Sequence, residues 1–177
     1  MKKNSDGFTL TTAVFVMILL GLGLPSLIIA LNQATKDLAL TEQTAIATML
    51  GQDLMEEIKT KQWDHNATKL LPIEDYEKTG TLGPESGESR GGIGASGYND
   101  IDDYNGLNNK PPKDASGTTL EEFSNYHTTV IVDYVRKGNF DSTDSSSPLP
   151  NFKRVILTVS WENDSKSISL TSIMGNI

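Results

Sequence analysis

The sequence contains no cysteine. That removes disulfide staples and thiolate metal sites, although it leaves the compartment open. Basic residues are in deficit, with 15 Lys and Arg against 23 Asp and Glu and a formal net charge of −8. A nucleic-acid surface needs clustered Lys and Arg to neutralise phosphates, and no basic patch occurs beyond Lys2 and Lys3. No nucleic-acid partner is expected. The two histidines, His65 and His127, fall in different predicted elements, and a zinc site would need further ligands. No G-x-S-x-G elbow and no H-E-x-x-H pair is present, so no catalytic residue is assigned and the chain is not read as an enzyme. Apolar residues make up 37% of the chain, and much of that share is spent before residue 32. The remainder must build a small core, which at 177 residues suggests one domain plus an appendage.

What is abundant comes first in the chain. The stretch "GFTLTTAVFVMILLGLGLP" (Gly7–Pro25) belongs to an uncharged run from Gly7 to Thr35, almost wholly apolar between Ala13 and Leu31. About 20 such residues cross a bilayer as a helix. Lys2 and Lys3 before it would hold the N-terminus in the cytoplasm. After Leu31 the pattern continues as helix. Leu38, Ile46, Leu50, Leu54 and Ile58 form a stripe, widened by Ala39, Ala45 and Met49 and interrupted by Glu42. Lys36, Asp37, Gln43, Gln52, Asp53, Glu56, Lys59 and Lys61 cover the other side. Pro25 can bend such a helix without ending it. The pattern predicts one helix from residue 8 to about 62, apolar all round in its first half and on one face in its second.

"KKNSDGFTLTTAVFVMILL" resembles the class III signal of type IV prepilins and type II secretion pseudopilins. "LGQDLMEEIKTKQWD" (Leu50–Asp64) and the closing strands resemble the minor-pilin branch more loosely. The resemblance implies cleavage by a prepilin peptidase between Gly7 and Phe8 and N-methylation of Phe8. It divides the chain into a leader at 1–7, a transmembrane and filament-core helix at 8–31, an amphipathic helix at 32–63 and a globular domain at 64–177. The implied function is that of a minor pilin or pseudopilin, a structural subunit in the assembly, initiation or tip of a type IV pilus or type II secretion pseudopilus. Its partners would be the prepilin peptidase, the assembly platform and other pilins or pseudopilins, met through the N-terminal helix. It would sit in the bacterial inner membrane as a single-pass protein, C-terminal domain in the periplasm, and pass from there into the filament. The alternative is a membrane-anchored binding module whose loops recognise a secreted substrate, a surface or a tip partner.

Most members of that family carry glutamate as the fifth mature residue, and here that position is Thr12. A carboxylate at the bilayer centre costs about 2.5–3.5 kcal/mol on insertion scales. Threonine avoids the cost, has no charge to pair with a neighbour's amine, and can bond back to a carbonyl one turn earlier. Thr12 therefore argues against a repeating mid-filament subunit. A tip position and neutral change in a minor subunit both remain open.

The rest of the chain is loop-rich and then β-rich. "DHNATKLLPIEDYEKTG" reads as a polar connection, and "TLGPESGESRGGIGASG" and "YNDIDDYNGLNNKPPKD" read as loops. Three strands follow, at His127–Arg136, Lys153–Glu162 and Lys166–Met174, with an exposed loop at 137–151 and a turn at Asn163–Ser165. Val155, Leu157, Val159 and Trp161 share one face, as do Ile168, Leu170 and Ser172. The amphipathic helix is the available cover, which gives an α+β fold: a long N-terminal helix packed on a small antiparallel sheet, the pilin-like layout.

Gly92, Gly94 and Gly97 satisfy G-x-G-x-x-G but lack a preceding strand and a following helix, so they read as a flexible loop. Asp100, Asp102, Asp103 and Asn105 are candidate calcium ligands, weighed against an acidic turn; no other cofactor is expected. Some pseudopilins bind calcium in loops, which is what the resemblance adds to that reading. Glu56 and Glu57 read as a solvated helix face, and Trp63 and Trp161 as core or rim. The loops at 80–117 and 138–150 are the expected recognition surfaces.

Overall fold

The computed structural model describes residues 9–66, 78 and 80–176. Gly7 and Phe8 lie outside the described residues. Helix α1 (Leu10–Lys59) runs 50 residues, with Pro25 inside it. The chain divides into two compact units, the first ending at Gln43 and the second beginning at Thr44. Within the first unit α1 exposes its apolar side chains on all sides, including Phe15, Met17, Leu22, Ile29 and Leu38. It is long and apolar enough to cross a membrane, by length and composition, and its most apolar window has none of its residues buried.

The second unit has an α+β architecture. Its antiparallel sheet contains β1 (Asn108–Asn109), β2 (His127–Arg136), β3 (Asn139–Thr143), β4 (Phe152–Trp161) and β5 (Lys166–Gly175). The spatial order is β1-β2-β4-β5, and β3 folds back on β2. Strands β2, β4 and β5 form where alternating, β-branched residues predict them. Val130 faces Leu157 and Val132 faces Val155, while Leu157 faces Leu170 and Val159 faces Ile168. The turn between β4 and β5 carries Glu162, Asn163 and Asp164 at positive φ, a conformation that short polar side chains tolerate.

The end of α1 covers this sheet. Ala47, Leu50, Gly51, Leu54, Met55 and Ile58 are its buried residues, three and four apart, on one face. They join Val130, Val132, Val155, Leu157, Val159 and Trp161 in a single core, which Ile101, Tyr104, Leu107 and Tyr126 complete from the loops. Leu50, Leu54 and Ile58 of the predicted stripe are buried as expected, but the buried face as a whole is rotated from that stripe. Ala47, Gly51 and Met55 are inside, whereas Leu38 and Met49 are exposed. Multiples of four drift around a helix of 3.6 residues per turn, so a stripe drawn that way leaves the contact face.

Two further differences have physical reasons. The 137–151 segment holds β3, closed on β2 through Lys137 and a positive-φ Gly138; its strand residues are all exposed, so no apolar alternation marks it. Glu57 is not on a solvated face: its carboxylate takes Arg90 Nε at 3.0 Å and Tyr104 Oη at 2.6 Å. Glu56 is exposed and pairs with Lys59 across one turn.

Gly51 sets how closely α1 approaches the sheet. A Cβ there would lie 3.0 Å from Leu170 Cδ1 and 3.3 Å from Val159 Cγ2. Gly51→Leu is expected to destabilise the protein by about 1–3 kcal/mol through overpacking. Gly51→Ala should stay within about 1 kcal/mol of wild type, because better helix propensity offsets a contact with a movable side chain. Urea denaturation measures both, and an unchanged midpoint for Gly51→Leu would refute the close approach.

Candidate functional site

Two regions carry candidate residues, one in each unit. In the first, Thr9 caps α1: its hydroxyl accepts the Thr12 backbone N–H at 3.3 Å and lies 2.7 Å from the Thr12 hydroxyl. Thr12 thus occupies the third helical position, where a capping box usually carries Glu or Gln. It is exposed and uncharged.

The second region begins where α1 ends. Lys61 N bonds Ile58 O, and the chain turns out of the helix. Gln62 then pairs with the 99–101 segment, through Gln62 N to Asn99 O at 3.1 Å and Ile101 N to Gln62 O at 3.0 Å. This bridge sets Trp63, Asp64 and His65 beside Asp100. The 99–104 turn is held by its own carboxylates. Asp100 Oδ1 accepts the backbone N–H groups of Asp102 (3.0 Å) and Asp103 (3.2 Å). Asp103 Oδ2 accepts those of Asn99 (2.7 Å) and Asp100 (2.9 Å). The acidic turn is therefore core: Asp100 and Asp102 are fully buried and Asp103 is 1% exposed.

One cation enters this cluster from the sheet. Lys153 is fully buried on the inward face of β4. Its Nζ donates to Asp102 Oδ1 and to the Trp63 carbonyl, both at 2.6 Å, and lies 3.6 Å from Asp64 Oδ2. It also sits 4.3 Å from the Trp63 ring centroid and 5.5 Å from that of Tyr134, adding cation–π attraction. At the opposite side His65 Nδ1 approaches Glu85 Oε1 at 2.8 Å, with Asp64 and Asp100 oxygens each at 3.7 Å.

Negative charge is in surplus. Asp64, Glu85, Asp100, Asp102 and Asp103 gather around Lys153 and His65. Burial, and then the neighbouring Asp102, push Asp100 up to about 8. Burial also raises Asp103. Tyr134 is raised by burial and by the nearby Asp64 and Asp102 carboxylates.

Asp100, Asp102 and Asp103 are thus brought together. Asn105 is engaged elsewhere: its Oδ1 accepts Val132 N–H at 3.0 Å and its Nδ2 donates to Leu82 O at 3.2 Å, tying the loop to β2. His127 lies in β2, between Asp164 at 3.0 Å and Asn108 at 2.7 Å. Gly94–Ser96 form a short 3-10 turn, with no strand before it among the described residues. Trp161 is buried, and Trp63 packs at the core's edge with Nε1 donating to Met174 O. Sequence reasoning missed Asp64, Glu85 and Lys153. Lys153 had a legible signal, since it shares parity with Val155, Leu157, Val159 and Trp161. Asp64 and Glu85 had none, because their position depends on long-range pairing.

No protein-family model, no curated protein and no solved structure matches this chain.

Lys153→Met is expected to destabilise the protein by about 3–5 kcal/mol, because it leaves buried carboxylates without their cation. Denaturant titration tests this, and a loss under about 1 kcal/mol would show that the cluster does not depend on Lys153. The raised Asp100 makes a pH prediction. Between about pH 4 and about pH 8 the folded chain keeps a proton that the unfolded chain has lost, so this group's contribution to stability falls as pH rises. In EDTA, Asp100→Asn should therefore gain on wild type between about pH 5 and about pH 8.5. A pH-independent difference in melting temperature would mean that Asp100 ionises normally.

Proposed function

We propose that the chain is a minor pilin-like or pseudopilin-like structural subunit, anchored in the bacterial inner membrane and drawn from it into a type IV pilus or type II secretion pseudopilus. The observation that carries this reading is the two-part character of α1. Its Leu10–Leu31 portion exposes apolar side chains on every side, which only lipid or neighbouring apolar helices can cover. Its last turns cover a small antiparallel sheet. A helix of this kind has one end suited to exchange between bilayer and filament core, and another fixed to a folded domain.

The leader, the Gly7–Phe8 cleavage and the methylation of Phe8 belong to the same proposal, supported by the "KKNSDGFTL" motif. The chain's role is assembly, with a prepilin peptidase, an assembly platform and other pilins as partners. The Thr9–Thr12 capping pair fits a subunit that begins or ends a filament, since Thr12 offers no charge to a neighbour. The domain would face the periplasm.

Mass spectrometry of the protein from its native cells tests the proposal. The expected N-terminus is N-methylated Phe8. A chain retaining Met1 would make it a plain anchor, and a start beyond Leu31 would mean a conventional signal peptide. If processing is found, Thr12→Glu is expected to raise incorporation along filaments, counted by immunogold labelling. Labelling confined to filament ends in both forms would mean that position 12 does not set placement.

A further inference from the structure

We infer that Glu85, Asp100 and Asp103, flanked by Asp64, form a divalent-cation site of the calcium class. The inference rests on how each carboxylate uses its two oxygens. Asp100 spends Oδ1 on the Asp102 and Asp103 N–H groups, and Asp103 spends Oδ2 on those of Asn99 and Asp100. Glu85 sets Oε1 against His65 Nδ1 at 2.8 Å. The remaining oxygens, Asp100 Oδ2, Asp103 Oδ1 and Glu85 Oε2, are buried and have no hydrogen-bond partner among the described residues. Buried carboxylate oxygens without a donor are costly and uncommon. Here they occur on three side chains whose orientation is already fixed by their other oxygen.

The spacing suits one ion. Glu85, Asp100 and Asp103 each offer a ligand atom within 4.8 Å of the others, and Asp64, His65 and Asp100 form a second such group sharing Asp100. Two oxygens bound to one calcium at about 2.4 Å can lie no more than about 4.8 Å apart. Glu88 adds charge beside Asp103, while Lys153 is engaged by Asp102 and the Trp63 carbonyl. The three carboxylates offer oxygen alone in an irregular, enclosed turn, and the neighbouring His65 Nδ1 is set against Glu85 Oε1, which matches calcium. Magnesium keeps a regular shell rich in water, and zinc favours nitrogen and sulfur. The ion would join three segments distant in sequence: the turn after α1, the loop at Glu85 and the 99–104 turn. The competing account is that the same oxygens share protons, Asp100 with Asp102 and Asp103 with Glu88.

The site does not depend on the filament reading, and its test is separate. The full-length protein in detergent micelles is stripped with EDTA, exchanged into calcium-free buffer at about pH 7.5 and titrated with calcium chloride by calorimetry. One ion per chain is expected, with a Kd of about 1–100 µM. About 1 mM calcium should raise Tm by roughly 5 °C or more, and magnesium at that concentration by much less. Glu85→Gln should weaken calcium binding at least tenfold while melting within a few degrees of wild type in EDTA. Asp141→Asn, an exposed carboxylate of β3, should bind as wild type does. Superimposable melts with EDTA and with calcium would overturn the inference in favour of shared protons. So would Glu85→Gln with wild-type affinity, or equal weakening by Asp141→Asn, which would mean diffuse binding to an acidic surface.

Discussion

The second unit is organised around one ammonium group. Lys153 reaches through the inner face of β4 and binds both the turn that leaves α1, through the Trp63 carbonyl and Asp64, and the 99–104 turn, through Asp102. Strand β4 is thereby fixed to two turns that are themselves joined by the Gln62 backbone bridge. A buried ion pair of this kind adds little net stability over an apolar replacement of the same shape, because desolvation offsets attraction. Its effect is on position. Once Asp102 is held at Lys153, the turn's register is set, and Ile101 and Tyr104 fall into the core beneath α1.

That constraint explains the charge surplus. One ammonium cannot neutralise the Asp64, Asp100, Asp102 and Asp103 carboxylates in a dry interior, and the excess is met by local devices. Asp100 and Asp103 trade backbone N–H groups, so the turn solvates its own acids. With no cation bound, burial and the neighbouring Asp102 push the Asp100 carboxyl up to about 8. On the helix the Glu57 charge is matched separately by Arg90 and by the Tyr104 hydroxyl, which makes a second polar link between α1 and the loops. The loop region, poor in regular structure, is thus held by paired polar groups as much as by apolar contact.

The legibility of the sequence follows the range of the interactions. Strands β2, β4 and β5 were readable because their alternation of apolar and polar residues is a local property, and their observed bounds lie within a residue of the pattern. Helix α1 was readable for the same reason. Its buried face was readable in part: Leu50, Leu54 and Ile58 of the predicted stripe are buried, whereas Ala47, Gly51 and Met55, outside that stripe, are inside because the sheet comes close. Strand β3 was hidden because all its residues face solvent. At the acidic turn the sequence supplied Asp100, Asp102 and Asp103 as a loop cluster, with no sign that the turn is buried. The partners that bury them, Lys153, Asp64 and His65, come from elsewhere in the chain. Lys153 alone carried a local signal, its parity with Val155 along β4.

The two halves of α1 solve different problems with one element. Near Ala47 to Ile58 the helix needs a face, and small residues at Ala47 and Gly51 let it lie close to β4 and β5. Near Leu10 to Leu31, on the reading proposed above, it needs no particular face, because a lipid or helical surrounding would be apolar in every direction. A charged residue in that portion would bind it to one partner and one depth. Thr12, with its hydroxyl against Thr9, satisfies the helix start internally and demands neither. On the reading proposed above, position in the filament is then decided by the domain and its loops, and the membrane-spanning half supplies affinity without address.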